Sequence, residues 1–285
     1  MRLETQVIKT PDGIDLFVRS YCPDQNDTKG TLCWVHGLGE HGGRHEHVAN
    51  ELTQRGWRMV IADLRGHGQS TGIRTYVNSF DEYIADTALV WHSLDLSSET
   101  TALLGHSMGG LVAIRAVQMR RIVPSALVIS APLLGLKLHV NPLTVMLGRI
   151  LVRFMPAARF SNGIDPANMT HDQAFAALRR ADPLITKTVT AGWFFAMKAA
   201  VAAANRDARQ INLPILALQG TFDRTTDPDA LTDWWGRIQS TVKKQIDLEG
   251  HFHELFFEPD WKSTTDQMIE WLDERSCLSA SKERS

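Results

Sequence analysis

The sequence predicts one α/β domain, a mostly parallel sheet flanked by helices with a helical cap inserted into it. Short Val-, Ile- and Leu-rich runs alternate with helical periodicities up to residue 130 and again from residue 215, the rhythm of strands covered on both faces. Residues 132–208 break that rhythm, carrying helical patterns and no convincing β-branched strand. The length of 285 residues, 44% hydrophobic and 22% charged, suits one large domain with an insertion and excludes disordered, collagen-like and coiled-coil chains.

Taken in order, residues 7–20 alternate around Pro11-Asp12-Gly13 and predict an opening β-hairpin, followed by loop to residue 30. Residues 31–35 then form a strand, 44–54 a helix and 57–62 a second strand. Ser79 and Glu82 have capping-box spacing, and Phe80, Tyr83, Ile84, Thr87, Ala88 and Trp91 recur at helical intervals, which predicts a helix to near Leu96. A strand at 101–104, a helix at 111–119 and a strand at 126–130 complete this half. After the cap come a strand at 215–219, a helix from Asp229, a strand at 244–248 and a helix at 261–275, which leaves 276–285 as a flexible polar tail. The sheet domain is therefore expected at 1–131 and 209–275.

Thirty Lys and Arg against 32 Asp and Glu leave a net charge of −2, which argues against nucleic acid as a partner. Cys22, Cys33 and Cys277 have no C-x-x-C spacing, so neither a disulfide framework nor a thiolate zinc site is expected, and a reducing compartment is the simplest home. The first residues lack the apolar core of a signal peptide and no run of 18 apolar residues occurs, so the expectation is a cytoplasmic protein that does not span a membrane. Nothing in the sequence sets an oligomeric state.

The strongest chemical signal is Gly105-His106-Ser107-Met108-Gly109, lying between a short apolar strand and a helix. A serine that attacks an ester must project from a sharp strand-to-helix turn, and the flanking glycines avoid the collision a side chain would make there. By residue frequencies alone about 0.1 such matches arise by chance in a chain of this length, so it is the placement that carries the weight.

A serine hydroxyl needs a base, and the base an orienting acid. Asp223 follows the strand at 215–219, and His253 ends the run Glu249-Gly250-His251-Phe252-His253 after the strand at 244–248. The 30 residues between them span about one helix-plus-strand unit, which returns both to the same carboxyl edge of a parallel sheet. Asp227 and Asp229 are alternatives that better suit the cap of the next helix, and spacing alone hardly separates His251 from His253. Two backbone N–H groups must face the developing oxyanion. Met108, after the nucleophile, offers one, and Leu38, in His36-Gly37-Leu38-Gly39 after the strand at 31–35, offers the other. His36, His41, His45 and His47 cluster without the H-E-x-x-H spacing of a zinc site, and no metal or organic cofactor is expected. Asp63-Leu64-Arg65-Gly66-His67-Gly68-Gln69-Ser70 suits a hydrogen-bonded tight turn rather than a second reacting centre.

With these residues in place, the chain resembles the monoacylglycerol lipase and lysophospholipase branch of the α/β-hydrolases over roughly residues 5–275. The resemblance rests on five ordered motifs: His36-Gly37-Leu38-Gly39-Glu40-His41-Gly42-Gly43-Arg44, the Asp63 to Ser70 run, Gly105-His106-Ser107-Met108-Gly109-Gly110, Leu218-Gln219-Gly220-Thr221-Phe222-Asp223-Arg224, and Glu249 to His253. It implies an α/β-hydrolase fold and a serine ester hydrolase. It also carries the acid role to Asp223, which precedes the Arg of the fourth motif, and the base role to His253, which ends the E-G-x-x-H run. By the same resemblance Glu40 and Arg44 help to bind a glycerol head group, although the pair suits a loop salt bridge equally well. Animal monoacylglycerol lipases carry a second histidine three positions after the base, where this chain has Phe256.

Residues 131–164 contain no Asp or Glu but include Lys137, Arg149, Arg153 and Arg159. Leu143, Met146, Leu147, Ile150, Leu151 and Phe154 fall at helical spacing, so an amphipathic basic helix is expected. It would pack on the core, or wall an acyl channel over Ser107 while touching a lipid surface. The expected function is release of fatty acid from a small lipid ester, a monoacylglycerol, through an acyl-enzyme, with peripheral membrane contact through the cap. A lysophospholipase or short-chain carboxylesterase would use the same mechanism. A hydrolase-like protein that binds ligand without turnover is disfavoured by the intact nucleophile, acid, base and oxyanion loop, and a dehalogenase would carry Asp where Ser107 stands.

Overall fold

The computed structural model describes residues 1–24, 28–137 and 152–282. The strands are β1 (Arg2–Lys9), β2 (Asp15–Cys22), β3 (Gly30–Val35), β4 (Trp57–Ala62), β5 (Thr101–His106), β6 (Ala126–Ser130), the short β7 (Arg159–Ser161) and β8 (Thr188–Thr190), β9 (Ile215–Gly220) and β10 (Lys243–Leu248). Among the described residues eight of them form one sheet in the order β1-β2-β4-β3-β5-β6-β9-β10. It is parallel from β4 to β10, and the opening hairpin adds two antiparallel strands at one edge. Every residue of β5, β6 and β9 is buried, whereas β1 is exposed at all but one position and β10 carries Lys243 and Lys244 outward. Central strands read as unbroken apolar runs, and charge blunts the edges.

Seven helices flank the strands among the described residues: α1 (Glu46–Gln54), α2 (Asp81–Ser93), α3 (Met108–Gln118), α4 (Gln173–Ala181), α5 (Ala191–Arg206), α6 (Pro228–Trp235) and α7 (Trp261–Lys282). Side chains alternate across a strand, so the sheet feeds two cores. Cys33, Val35 and Leu103 face α2, α3, α5 and α6, while Leu32, Trp34, Ala102 and Leu104 face α1 and α7. Each fully buried Leu or Val contributes about 1.5–3 kcal/mol relative to leaving it exposed.

Among the differences from the sequence expectation, three have a clear physical reason. Helix α3 starts at Met108 rather than Leu111, because the turn at Ser107 leads straight into it; Gly109 and Gly110, poor helix formers, hide that start from a propensity reading. Helix α7 continues to Lys282, past the expected end at Arg275, since extending a formed helix adds a hydrogen bond for each residue ordered. Within the insertion, expected to hold no strand, β7 and β8 pair antiparallel through Arg159↔Thr190, Phe160↔Val189 and Ser161↔Thr188. Three residues are too few for alternation to register, and the pairing is supplied from across the cap.

The second half of the insertion is anchored. Trp193, Met197, Ala200 and Ala204 of α5 join the core beside α3, and Trp193 Nε1 donates to Met108 Sδ at 3.3 Å. Of the expected basic amphipathic helix, Leu143, Met146, Leu147, Arg149, Ile150 and Leu151 lie outside the described residues, while Arg153 and Phe154 are exposed. No helix among the described residues is long and apolar enough to cross a membrane.

Candidate active site

Strand β5 hands over to α3 through one residue, Ser107, at φ 53° and ψ −117°. A non-glycine residue there costs on the order of 1–3 kcal/mol and persists only where its surroundings hold it. Here the holding is steric: a Cβ on Gly105 would run into the Gly109 carbonyl, and one on Gly109 into the Val35 and His36 carbonyls of the neighbouring strand. The Ser107 N–H donates to the Ser130 carbonyl at 2.9 Å, and its own carbonyl accepts the Leu133 N–H at 3.0 Å.

Asp223 and His253 come to this point from the carboxyl ends of β9 and β10. His253 Nε2 lies 2.9 Å from Ser107 Oγ, and its Nδ1 lies 2.8 Å from Asp223 Oδ2. The carboxylate of Asp223, buried with 1% exposure, also accepts the Thr226 hydroxyl at 2.7 Å and the Thr225 and Thr226 N–H groups at 2.7 and 3.1 Å. Burial alone would raise its pKa, but the His253 imidazole and these donors hold it well below the ordinary carboxylate value. For His253 burial opposes the charged form and Asp223 outweighs it, so the imidazole sits above its ordinary value. The competing residues serve elsewhere: His251 pairs with Asp260 at 3.0 Å, and Asp227 caps α6 by accepting the Asp229 N–H at 3.1 Å.

The loop after β3 runs beside the serine, since a Cβ on Gly37 would touch Ser107 Cβ. Leu38 follows in that loop, and Met108 is the first residue of α3, whose N–H groups at that end have no partner within the helix. His36 locks the loop: Nδ1 donates to the Gly37 carbonyl at 2.7 Å and Nε2 accepts the Leu64 N–H at 2.9 Å, a neutral tautomer in keeping with a pKa lowered by burial. Each of the other clustered histidines has its own neighbour. His41 meets Asp182 at 2.8 Å, His47 meets the Phe256 carbonyl at 2.7 Å, and His45 Nε2 lies 3.4 Å from Glu40. Among the described residues no group of three His, Cys, Asp or Glu side chains could hold a metal ion. The Asp63 to Ser70 turn is a hydrogen-bonded brace, with Asp63 accepting from Arg19, the Gly42 N–H and the Gln69 N–H at 2.7 to 2.8 Å.

Glu40 and Arg44 lie behind the loop, engaged with protein. Glu40 Oε1 accepts the Gly37 N–H at 2.7 Å and Oε2 accepts Arg44 at 2.6 Å, while Arg44 grips both oxygens of Glu254 at 2.8 and 2.9 Å. Phe256 is 1% exposed and meets Trp34 edge-on at 4.9 Å. Thr225 and Thr226 carry a sequence signal that the motifs above do not include, since an aspartate followed at i+2 and i+3 by such donors is the signature of a side-chain-closed turn. Glu254 and its second partner Arg179 carry none, because they lie 75 positions apart.

A model of the family described as serine aminopeptidase, S33, matches residues 26–260. The chain belongs to this family of α/β-hydrolases. Monoglyceride lipase of Mus musculus is 30% identical to it, over 86% of this chain and 81% of that one. Phospholipase YtpA of Bacillus subtilis is 29% identical, over 79% of this chain and 88% of that one. Among solved structures, the monoacylglycerol lipase of Paleococcus ferrophilus gives a TM-score of 0.83 at 28% identity, covering 91% of this chain and 99% of that chain. A longer abhydrolase domain-containing protein of Dictyostelium discoideum is 28% identical over 93% of this chain, which spans 28% of that protein's length. These likenesses put the α/β-hydrolase chain in the monoacylglycerol lipase branch, and it is a carboxylic ester hydrolase.

Proposed function

We propose that this α/β-hydrolase releases fatty acid from monoacylglycerols through an acyl-enzyme, with Ser107 as nucleophile, His253 as base and Asp223 as the acid that orients it. The observation that carries the proposal is the unbroken Ser107, His253, Asp223 hydrogen-bond line at 2.9 and 2.8 Å. Ser107 Oγ attacks the ester carbonyl as its proton passes to His253 Nε2, and Asp223 holds Nδ1–H and supports the imidazolium. The Leu38 and Met108 N–H groups stabilise the oxyanion. Collapse of the tetrahedral species breaks the ester C–O bond, and His253 returns the proton to the departing glycerol oxygen. Water then loses a proton to His253 as it attacks the acyl-serine carbonyl, and collapse of the second tetrahedral species breaks the acyl C–Oγ bond as His253 returns that proton to Ser107 Oγ, which frees the fatty acid and restores the serine.

The names of the mouse and Paleococcus relatives support the substrate class, and the Bacillus relative's name, a phospholipase, supports a second reading in which the ester belongs to a phospholipid, for a single-chain substrate a lysophospholipid. Exposed Phe154, Met155 and Phe160 beside Arg153 and Arg159 support contact of the cap with an anionic lipid surface.

The deciding experiment measures initial rates on monoacylglycerols of increasing chain length, di- and triacylglycerol, lysophosphatidylcholine and p-nitrophenyl esters, for the native protein and Ser107→Ala. Monoacylglycerol preference that vanishes in Ser107→Ala is expected. Preference for lysophosphatidylcholine moves the substrate to the second reading, and activity surviving in Ser107→Ala overturns the mechanism. Because His253 must be neutral to take the serine proton, kcat/KM should fall as pH drops through its pKa, raised above the ordinary 6.5.

A further inference from the structure

Both sides of the reacting site are tied to the cap. On the base side, Glu254, the residue after His253, accepts Arg179 of α4 at 2.5 Å as well as Arg44, and its N–H donates to the Met169 carbonyl at 2.8 Å. Glu258 holds the same loop by accepting the Phe252 N–H at 2.6 Å and the His171 N–H at 2.9 Å. On the oxyanion side, the Gly39 carbonyl accepts the Thr186 N–H at 2.8 Å, and His41 meets Asp182. Between the two sides a line of charged hydrogen bonds runs from Arg179 to Glu254, Arg44 and Glu40, ending on the Gly37 N–H. None of its four charged side chains is more than 7% exposed, and two cations balance two anions. A fully paired buried network is rigid, and removing one member leaves a buried charge uncompensated.

We propose that Arg179 is a positioning residue: seated in the cap, it completes a buried charge line that fixes the His253 loop relative to the Leu38 amide, so the reacting geometry depends on docking of α4. This rests on the Ser107, His253 and Asp223 reading above. The titratable and charged groups around His253 are Asp223 from the loop after β9, His106 from β5, Glu254 on its own loop and Arg179 from α4, with Arg44 and Glu40 behind Glu254. His106, pushed down to about 3 by burial and by the nearby His253 charge, is neutral in the working range. Glu254 favours the imidazolium and Arg179 opposes it.

The test uses hydrolysis of p-nitrophenyl acetate across pH by the full chain. Arg179→Met should lower kcat by about 10- to 100-fold with KM little changed, because the displaced group is the base and not a substrate contact. Its acid limb should move up, because a cation that opposes the imidazolium is gone, and that of Glu254→Gln should move down, because an anion that favours it is gone. Arg179→Lys, which keeps the charge and needs one N–H···O contact, should recover most of the rate and return the limb. Should Arg179→Met fail to fold, Arg179→Gln takes its place in the same signed comparison. Folded Arg179 and Glu254 variants with unmoved limbs, or limbs moving in one direction, overturn the proposal. Activity that survives Ser107→Ala instead sinks the serine reading itself, so the two failures are distinguishable.

Discussion

Ser107 is held by the close crossing of its flanking glycines with the end of β3, whereas the loop of His253 is held by charged side chains, among them Asp223 30 positions away and Arg44 210 positions from Glu254. Around the serine the work is steric: two glycines within two residues let strand, turn and helix cross, and the strained backbone has no alternative path. Around the histidine it is electrostatic, with Asp223 on one side and Glu254, Arg44 and Arg179 on the other. The two devices fail differently. Steric crossing is part of the fold, so damaging it damages both stability and rate, while altering one member of a charge line unpairs its buried partner and changes the charge around His253.

Four substitutions sharpen that contrast. Asp223→Asn, which leaves the shape but favours the wrong imidazole tautomer, should lower kcat by about 10⁴-fold with Tm nearly unchanged; steady-state kinetics beside a calorimetric scan would show the split. Gly109→Ala should lose activity by about 100-fold and stability by about 1–3 kcal/mol together. A urea melt that matched the native protein while activity fell would break the claim that the elbow and the fold are one device. Thr226→Val, which removes one donor from Asp223, should cost about 1 kcal/mol, or about fivefold in kcat. Leu38→Ala should change kcat less than about threefold, because the backbone N–H proposed for the oxyanion remains; a large loss would show that the side chain and not the amide matters there.

What was legible in the sequence follows the same division. The strand at 57–62 and that at 126–130 have the bounds read from their apolar runs, and the glycines announce the turn at Ser107, because each of these features is closed within a few residues. Spacing left His251 beside His253 and Asp227 beside Asp223, and the three-dimensional arrangement separates them by turning His251 to Asp260 and Asp227 to the start of α6. For Glu40 and Arg44 the resemblance offered a head-group role and the residue types a salt bridge; the structure places both in a buried line with Glu254 and Arg179. The strands β7 and β8 were invisible because each exists only through its partner.

By itself the sequence determined the alternation of strands and helices, the long break in that rhythm between β6 and β9, and a serine, a carboxylate and an imidazole after β5, β9 and β10, since hydrophobic periodicity and glycine placement act over short stretches. Only the tertiary structure decided which histidine meets Ser107, that Arg44 pairs with Glu40 and Glu254, and that Arg179 of α4 reaches Glu254 beside His253. Those outcomes depend on burial, which turns distant charges into partners and is known only once the chain has closed on itself.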